Sequence, residues 1–448
     1  MSKKLLQGKH LRLCSRLLFL VVPFLFSACL PRGANLPLIP FTGGQQARSG
    51  WIVLTQPDGN IYTIQPTGDS LTPVTTDGQS SGGADGVIRI YEFPVWSPDN
   101  RRLAYIEFSG TVDTLEQVTV YTSDREGQQP VEVFSSQEDF AFYLYWSPDS
   151  QMLSFLTAAP DQPGFTLRVA LVTGGEVVEL NQGIPIYMNW APDNRRMLVH
   201  TGRAGSNAPD DLSLVPVTGD AEPDNLDMNL ASFKTPAWSP DGRQLLLAAE
   251  DTGGEEALLL LEARSRSSSR LTEIEGQIAF GWSPGGRRVT YIDFPNSPGG
   301  YSEFGPLVIL DPEKPDRAET ISSTAKAFFW SPDGRSLAYF EPASFYQLPE
   351  TEGEESASGI FYRLMILDVS SGESTQAARF YPTYQFSSLL NLFDQYQHST
   401  TIWSPDSRNL LVAALDTDGL PGIYVVDITA ETEPRFLATG EMAYWSWK

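Results

Sequence analysis

The sequence is poor in histidine, cysteine and positive charge. Its 448 residues include three histidines and two cysteines, which leaves little material for a zinc site, a disulfide framework or a histidine-dependent catalytic centre. Lys and Arg number 31 against 55 Asp and Glu, so the formal charge is -24. A surface this acidic repels nucleic-acid phosphates. We therefore expect no metal, no cofactor and no nucleic-acid partner.

The amino terminus has the features of a secretory signal peptide. Basic residues precede a short apolar run, residues 17–26, that cannot span a bilayer as a helix. The following Phe26-Ser27-Ala28-Cys29 resembles a bacterial lipobox, in which the cysteine thiol receives a diacylglyceryl group and becomes the new amino terminus. We predict a signal peptide over residues 1–28, a lipid anchor on Cys29 and a Pro/Gly-rich tether over residues 29–50. An ordinary signal peptide cut after Ala28 is the alternative.

A short motif, Trp-Ser-Pro-Asp followed by Gly, Asn or Ser, recurs along the chain with small variations. Its tryptophans are Trp96, Trp146, Trp190, Trp238, Trp282, Trp330 and Trp403, with a truncated eighth copy at Trp445. Spacings run from 42 to 50 residues, apart from one of 73 between Trp330 and Trp403. A period in the forties is typical of one four-stranded propeller blade.

The chemistry of the motif predicts a tight turn. Pro fixes φ, Asp bonds neighbouring backbone, and the fifth residue is usually Gly or Asn, which tolerate a left-handed conformation. Alternating apolar strands follow, and we expect each tryptophan to pack between adjacent blades. The repeat resembles the WD-repeat-like propeller repeat of the TolB family, from about Trp51 to Lys448. This resemblance implies an all-β propeller that serves as a binding platform.

The two ends of the chain complete each other. The sequence from Trp51 begins with the later strands of a blade, and residues 441–448 supply the innermost strand that this blade lacks. Pairing of the two segments would close the ring and leave no free sheet edge. We predict a single propeller over residues 51–448 with eight four-stranded blades, and seven blades as the alternative.

The spacing of 73 residues holds an insertion, which makes residues 341–402 an enlarged blade. It contains an acidic stretch at 350–355 and a segment at 387–396 whose pattern suits a short amphipathic helix. Long loops on rigid scaffolds often carry function, so a functional lid is one interpretation. A tolerated surface insertion is the other.

Other local patterns give no catalytic centre. Residues 281–285 fit the G-x-S-x-G pattern of serine hydrolases, but Ser283 occupies the serine position of the repeat. Residues 416–419 look like the start of a calcium loop yet lack its later acceptors, which favours a simple turn. We predict no catalytic and no metal-binding residues.

Alignment of the innermost strands predicts a ring of side chains at one mouth of the central channel. Counting back four to five residues from each tryptophan gives Glu92, Lys234, Gln277, Lys326, His398 and Glu441, with Tyr91 and Phe142 among them. A mixed-charge ring with aromatic side chains suits a peptide or a small polar ligand. Solvated strand ends are the alternative.

The sequence favours a non-enzymatic, lipid-anchored, monomeric propeller that binds a protein or peptide. We expect it outside the cytoplasmic membrane, on the periplasmic side or on the outer face of the cell membrane. One alternative is a sensor of solutes or glycans. Another is a hydrolase or lyase that uses carboxylates in the channel.

The anchor can be tested at one residue. We expect Cys29→Ser to move the protein from the membrane fraction to the soluble extracytoplasmic fraction, because the variant has no thiol to acylate. Fractionation and incorporation of a labelled fatty acid measure this. A variant that stays on the membrane, together with a wild type that takes up no label, would show the anchor to be wrong.

Overall fold

The computed structural model describes residues 50–81, 86–160, 162–202, 210–217, 221–232, 234–297, 300–347, 358–430 and 432–448. The predicted signal peptide, Cys29 and the tether before Gly50 lie outside these residues, as does the acidic stretch at 350–355. Within the described ranges, no helix is long and apolar enough to cross a membrane.

Eight antiparallel sheets follow one another along the chain, and we number these blades from the amino terminus. The strands of blades 1 to 4 are β1 (Ile52–Thr55), β2 (Ile61–Ile64) and β3 (Thr72–Pro73); β4 (Val87–Trp96), β5 (Leu103–Thr111), β6 (Leu115–Ser123) and β7 (Val131–Ser136); β8 (Phe140–Trp146), β9 (Met152–Ala158), β10 (Phe165–Leu171) and β11 (Val177–Gly183); β12 (Ile186–Trp190), β13 (Arg196–Thr201), β14 (Asp211–Pro216) and β15 (Asp224–Asn225).

Blades 5 to 8 continue the pattern, and the last strand returns to blade 1. Their strands are β16 (Ala237–Trp238), β17 (Gln244–Glu250), β18 (Glu256–Glu262) and β19 (Ser268–Glu273); β20 (Gly276–Trp282), β21 (Val289–Ser297), β22 (Gly300–Tyr301), β23 (Gly305–Asp311) and β24 (Lys314–Ala325); β25 (Ala327–Trp330), β26 (Ser336–Gln347), β27 (Ser358–Asp368) and β28 (Ser374–Phe380); β29 (Asn409–Leu415), β30 (Pro421–Asp427), β31 (Arg435–Thr439) and finally β32 (Met442–Trp445).

The ring closes in blade 1, as the sequence predicts. Strand β32 pairs antiparallel with β1 and places Trp445 opposite Ile52. The backbone N–H of Trp51 donates to Ser446 Oγ at 2.9 Å. Beyond the strand, the indole N–H of Trp447 donates to the carbonyl of Trp96 in blade 2 at 3.2 Å. The carboxyl end therefore joins blade 1 to blade 2, and the eight-bladed interpretation is confirmed.

The repeat tryptophans join each blade to the one before it. In four of them the indole N–H donates to the carbonyl of the residue just before the preceding blade's own tryptophan. These bonds are Trp146 to Val95, Trp190 to Tyr145, Trp282 to Ala237 and Trp403 to Phe329, at 2.9 to 3.4 Å. In these four copies the large ring thus fills the interface between blades while the indole N–H keeps a partner.

The turn after each tryptophan has the predicted left-handed residue. The fifth position of all seven full motifs has φ between 60° and 69°. Where that residue is serine or asparagine, its side chain also accepts a bond from the preceding blade's turn: Ser150 Oγ from the N–H of Asp99, and Ser407 Oγ from that of Asp333. Ser283 lies in such a turn and accepts from the N–H of Arg288, so it is not a hydrolase nucleophile elbow.

The innermost strands all run in one direction and define two faces. We call the face where these strands begin the upper face, and the face that carries the tryptophan turns the lower face. The hairpins between the second and third strands of each blade also reach the upper face.

Candidate functional site at the channel mouth

Blade 8 has no continuous innermost strand. In the upper half of the blade, the Tyr381 carbonyl accepts a hydrogen bond from the N–H of Leu415, and Pro382 forms an isolated β-bridge with Ala414. In its lower half, Trp403 bridges to Leu410. Between these halves the chain leaves the sheet and forms two helices, α1 (Tyr384–Asn391) and α2 (Phe393–Tyr396). We call residues 384–400 the plug.

The plug contacts innermost strands, or the residues that lead into them, all round the ring. Its partners, from blade 1 to blade 7, are Tyr444, Glu92, Tyr143, Met188, Thr235, Gly281 and Phe328. A segment touched from every side must lie on the axis of the propeller. The single helix predicted over residues 387–396 is replaced by α1 and α2, which are separated at Leu392. The interpretation as a surface insertion is wrong for this segment, because Phe386, Leu390, Phe393 and Asp394 are buried.

Gln395 anchors the plug through its amide group. Its Oε1 accepts from the backbone N–H of Met188 at 3.0 Å, and its Nε2 donates to the Met188 carbonyl at 2.9 Å and also to the hydroxyl of Tyr143. The same hydroxyl donates to the Gln395 carbonyl at 3.0 Å. A buried side chain with this many partners holds one position, since any rotation would leave polar groups unpaired.

Glu92 and Glu441 form the acidic side of the mouth, on blades 2 and 1. Gln385 of α1 donates to Glu92 at 2.8 Å, and Thr383 donates to the Glu441 carbonyl at 2.7 Å. Burial, and then the neighbouring Glu441 carboxylate, raise the pKa of Glu92 to about 8. Burial also raises the pKa of Glu441. The helix α1 therefore covers the Glu92 carboxyl group, and burial favours the protonated form of both acids.

Lys234, Gln277 and Lys326 form the opposite side, on blades 5, 6 and 7. The Lys234 ammonium lies 3.6 Å from Asp394 Oδ1 of the plug. The backbone N–H and hydroxyl of Thr235 both donate to the other oxygen of Asp394 at 3.2 Å. Gln277 accepts from Ser232 at 3.1 Å. The charged ring expected from the sequence is thus divided into an acidic and a basic half.

Two predicted mouth residues lie elsewhere. His398 lies in the last part of the plug, after α2, and stacks on Tyr145 beside a lower-face cavity of about 350 Å³, which Trp96, Trp146 and Trp447 also line. Counting back from Trp403 misplaces His398 because the innermost strand of blade 8 is interrupted. Burial lowers the pKa of His398 to about 4.

Phe142, the second of these two residues, does not face the plug. The register of β8 shifts between Phe142 and Leu144, and Tyr143 has φ of 52°. This bulge turns Tyr143 toward the plug, while Phe142 packs against Phe165. The sequence identified neither Tyr143 nor Gln395 as part of the site. The other aromatic residue predicted at the mouth, Tyr91 on blade 2, donates a hydrogen bond from its hydroxyl to Asp77 at 2.9 Å.

Within the described part of the chain, no three His, Cys, Asp or Glu side chains are grouped so that they could hold a metal ion. Two carboxylates of the mouth have other partners: Gln385 of α1 donates to Glu92, and Lys234 lies beside Asp394.

Comparison with known proteins supports the fold alone. No protein-family model and no curated protein matches the chain. The structure is similar to that of the dihydro-heme d1 dehydrogenase NirN, with a TM-score of 0.53 and 15% identity over 93% of this chain and 80% of that one. It also matches TolB from Acinetobacter baumannii, at a TM-score of 0.38 and 13% identity over 89% and 83%.

A puromycin-hydrolyzing peptidase from Mycobacterium tuberculosis matches as well, at a TM-score of 0.42 and 18% identity over 72% of this chain and 54% of that one. The likeness to these solved structures, all 18% identical to this chain or less, shows the propeller fold alone.

The raised pKa of Glu92 predicts a pH effect on stability. Because Glu92 holds its proton more tightly in the folded than in the unfolded chain, its contribution favours folding at acid pH and is lost as the pH rises from about 4.5 to about 8. We expect Glu92→Gln to melt roughly 2 °C or more above the wild type at about pH 8.5, with the difference vanishing near pH 4.5.

Thermal melts over this range measure the effect, with Glu116→Gln, at an exposed glutamate, as the matched control. Parallel profiles for wild type and Glu92→Gln would contradict the assignment.

Proposed function

We propose that the protein is a non-enzymatic propeller that binds a protein or peptide partner at its upper face, held outside the cytoplasmic membrane by a lipid on Cys29. The plug carries this proposal. Because the chain's own side chains fill the axis, a ligand at this face meets a broad surface with a closed floor. Such a surface suits a macromolecule, since small-molecule sites are usually deep clefts that bury most of the ligand.

Exposed apolar side chains support the choice of face. Val112 lies at the tip of the β5–β6 hairpin and Leu420 at the tip of the β29–β30 hairpin, both on the upper face. Tyr384 and Leu392 of the plug are also exposed. Apolar and aromatic groups around a charged mouth are typical of a protein-binding surface.

The carboxyl pair favours a second candidate, a hydrolase or lyase. Neighbouring acids with raised pKa values are common among general acids and bases. A substrate would, however, have to displace Gln385 from Glu92. We therefore rank this function below partner binding, and the Glu92→Gln variant separates the two: it should abolish acid–base catalysis and leave partner binding intact.

Site-specific photocrosslinking tests the binding proposal in the anchored protein. A benzophenone amino acid in place of Tyr384, which is 57% exposed on the plug, should give one discrete adduct in intact cells. The same group in place of Phe436, exposed on the outer strand β31, is the matched control and should give none. Adducts of equal yield at both positions, or none at position 384, would contradict the proposal.

A further inference from the structure

Two lysines converge on the basic half of the mouth from blades 5 and 7. Lys326 is only 8% exposed, and the side chain of Lys234 is 17% exposed. Burial lowers the pKa of Lys326, while the Glu303 carboxylate raises it and the Lys234 charge lowers it by less. In a chain of net charge -24, these two lysines are the groups of the mouth that can attract an anion once a neighbouring carboxylate moves away.

Neither lysine ammonium lies within hydrogen-bonding distance of the carboxylate beside it. Asp394 is 3.6 Å from Lys234, and Glu303 is 3.8 Å from Lys326, both longer than a hydrogen bond. Asp394 is fully buried and fixed by Thr235, so it stays in place. The side chain of Glu303 is 67% exposed, and a ligand can displace it into solvent at little cost.

One aromatic ring lies beside the ammonium group of each lysine. The Lys234 ammonium lies 5.7 Å from the centre of the Phe294 ring, and the Lys326 ammonium lies 5.7 Å from that of Phe304. Both rings come from blade 6, between the two lysines: Phe294 lies on β21, and Phe304 directly precedes β23. These rings offer apolar contact beside the positive charge.

We propose that Lys326 and Lys234, with Phe294 and Phe304 as walls, bind a carboxylate that is attached to an apolar group. The source best fitted to this site is the carboxyl terminus of a partner peptide with an aromatic or apolar last residue, and this assignment rests on the proposed function. The ligand carboxylate takes the place of Glu303 at Lys326, while Asp394 remains at Lys234. A singly charged group is favoured over phosphate because Asp394 already neutralises part of the site.

Calorimetric titration of the mature protein with N-acetyl-phenylalanine tests this site. We expect binding at least roughly tenfold tighter than that of N-acetyl-phenylalanine amide, which lacks the charge. Lys326→Gln should weaken binding about tenfold, and Lys314→Gln, at an exposed lysine of β24, is the matched control and should not. Glu303→Gln should tighten binding, because it removes the competing carboxylate; this exposed substitution tests the site even if Lys326→Gln fails to fold.

Equal binding of acid and amide, no binding of the acid, or no effect of Glu303→Gln would overturn the carboxylate site. N-acetyl-glutamate amide, which presents a side-chain carboxylate alone, should bind more weakly; equal binding would overturn the assignment to a chain terminus. If the acid fails to bind while position 384 crosslinks to a partner, the site is wrong and the proposed function stands. If the acid binds and no partner crosslinks, the proposed function is wrong and the site stands.

Discussion

The structure depends on filling the axis of an eight-bladed ring. The blades of a propeller surround a central channel, and packing side chains densely into it adds buried contacts. This chain fills the channel by interrupting the innermost strand of blade 8 and placing α1 and α2 on the axis. Phe393 supplies apolar volume against Phe328 and Phe329, and Gln395 satisfies the polar groups that surround it.

The plug also determines the charge pattern of the upper face. Its first helix covers Glu92 on blade 2, so this carboxyl group contributes little exposed negative charge. Its second helix presents Asp394 to Lys234, while Lys326 lies beside the exposed Glu303 and the ring of Phe304. Blades 5 to 7 therefore place two lysines at the mouth, although the protein as a whole is strongly acidic.

Much of the fold could be predicted because local chemistry repeats. The turn after each tryptophan needs a left-handed residue, and the pattern of Gly, Asn and Ser identifies it. The plug could not be placed, because Tyr381 and Pro382 carry no motif that marks them as half of an innermost strand. The bulge at Tyr143 shifted the channel-facing register by one residue, and the aromatic walls of the lysine site come from a blade 6 hairpin that strand counting does not reach.

A plug that fills the channel stabilises the whole ring, and one pair of variants measures this most directly. Phe393 is buried on the axis, whereas the adjacent Leu392 is exposed. We expect Phe393→Ala to lower the free energy of unfolding by about 3 kcal/mol or more, as large-to-small changes in a packed core do. Leu392→Ala should change it by less than about 0.5 kcal/mol. Equal, small effects of the two substitutions in chemical denaturation would contradict a plug that fills the channel.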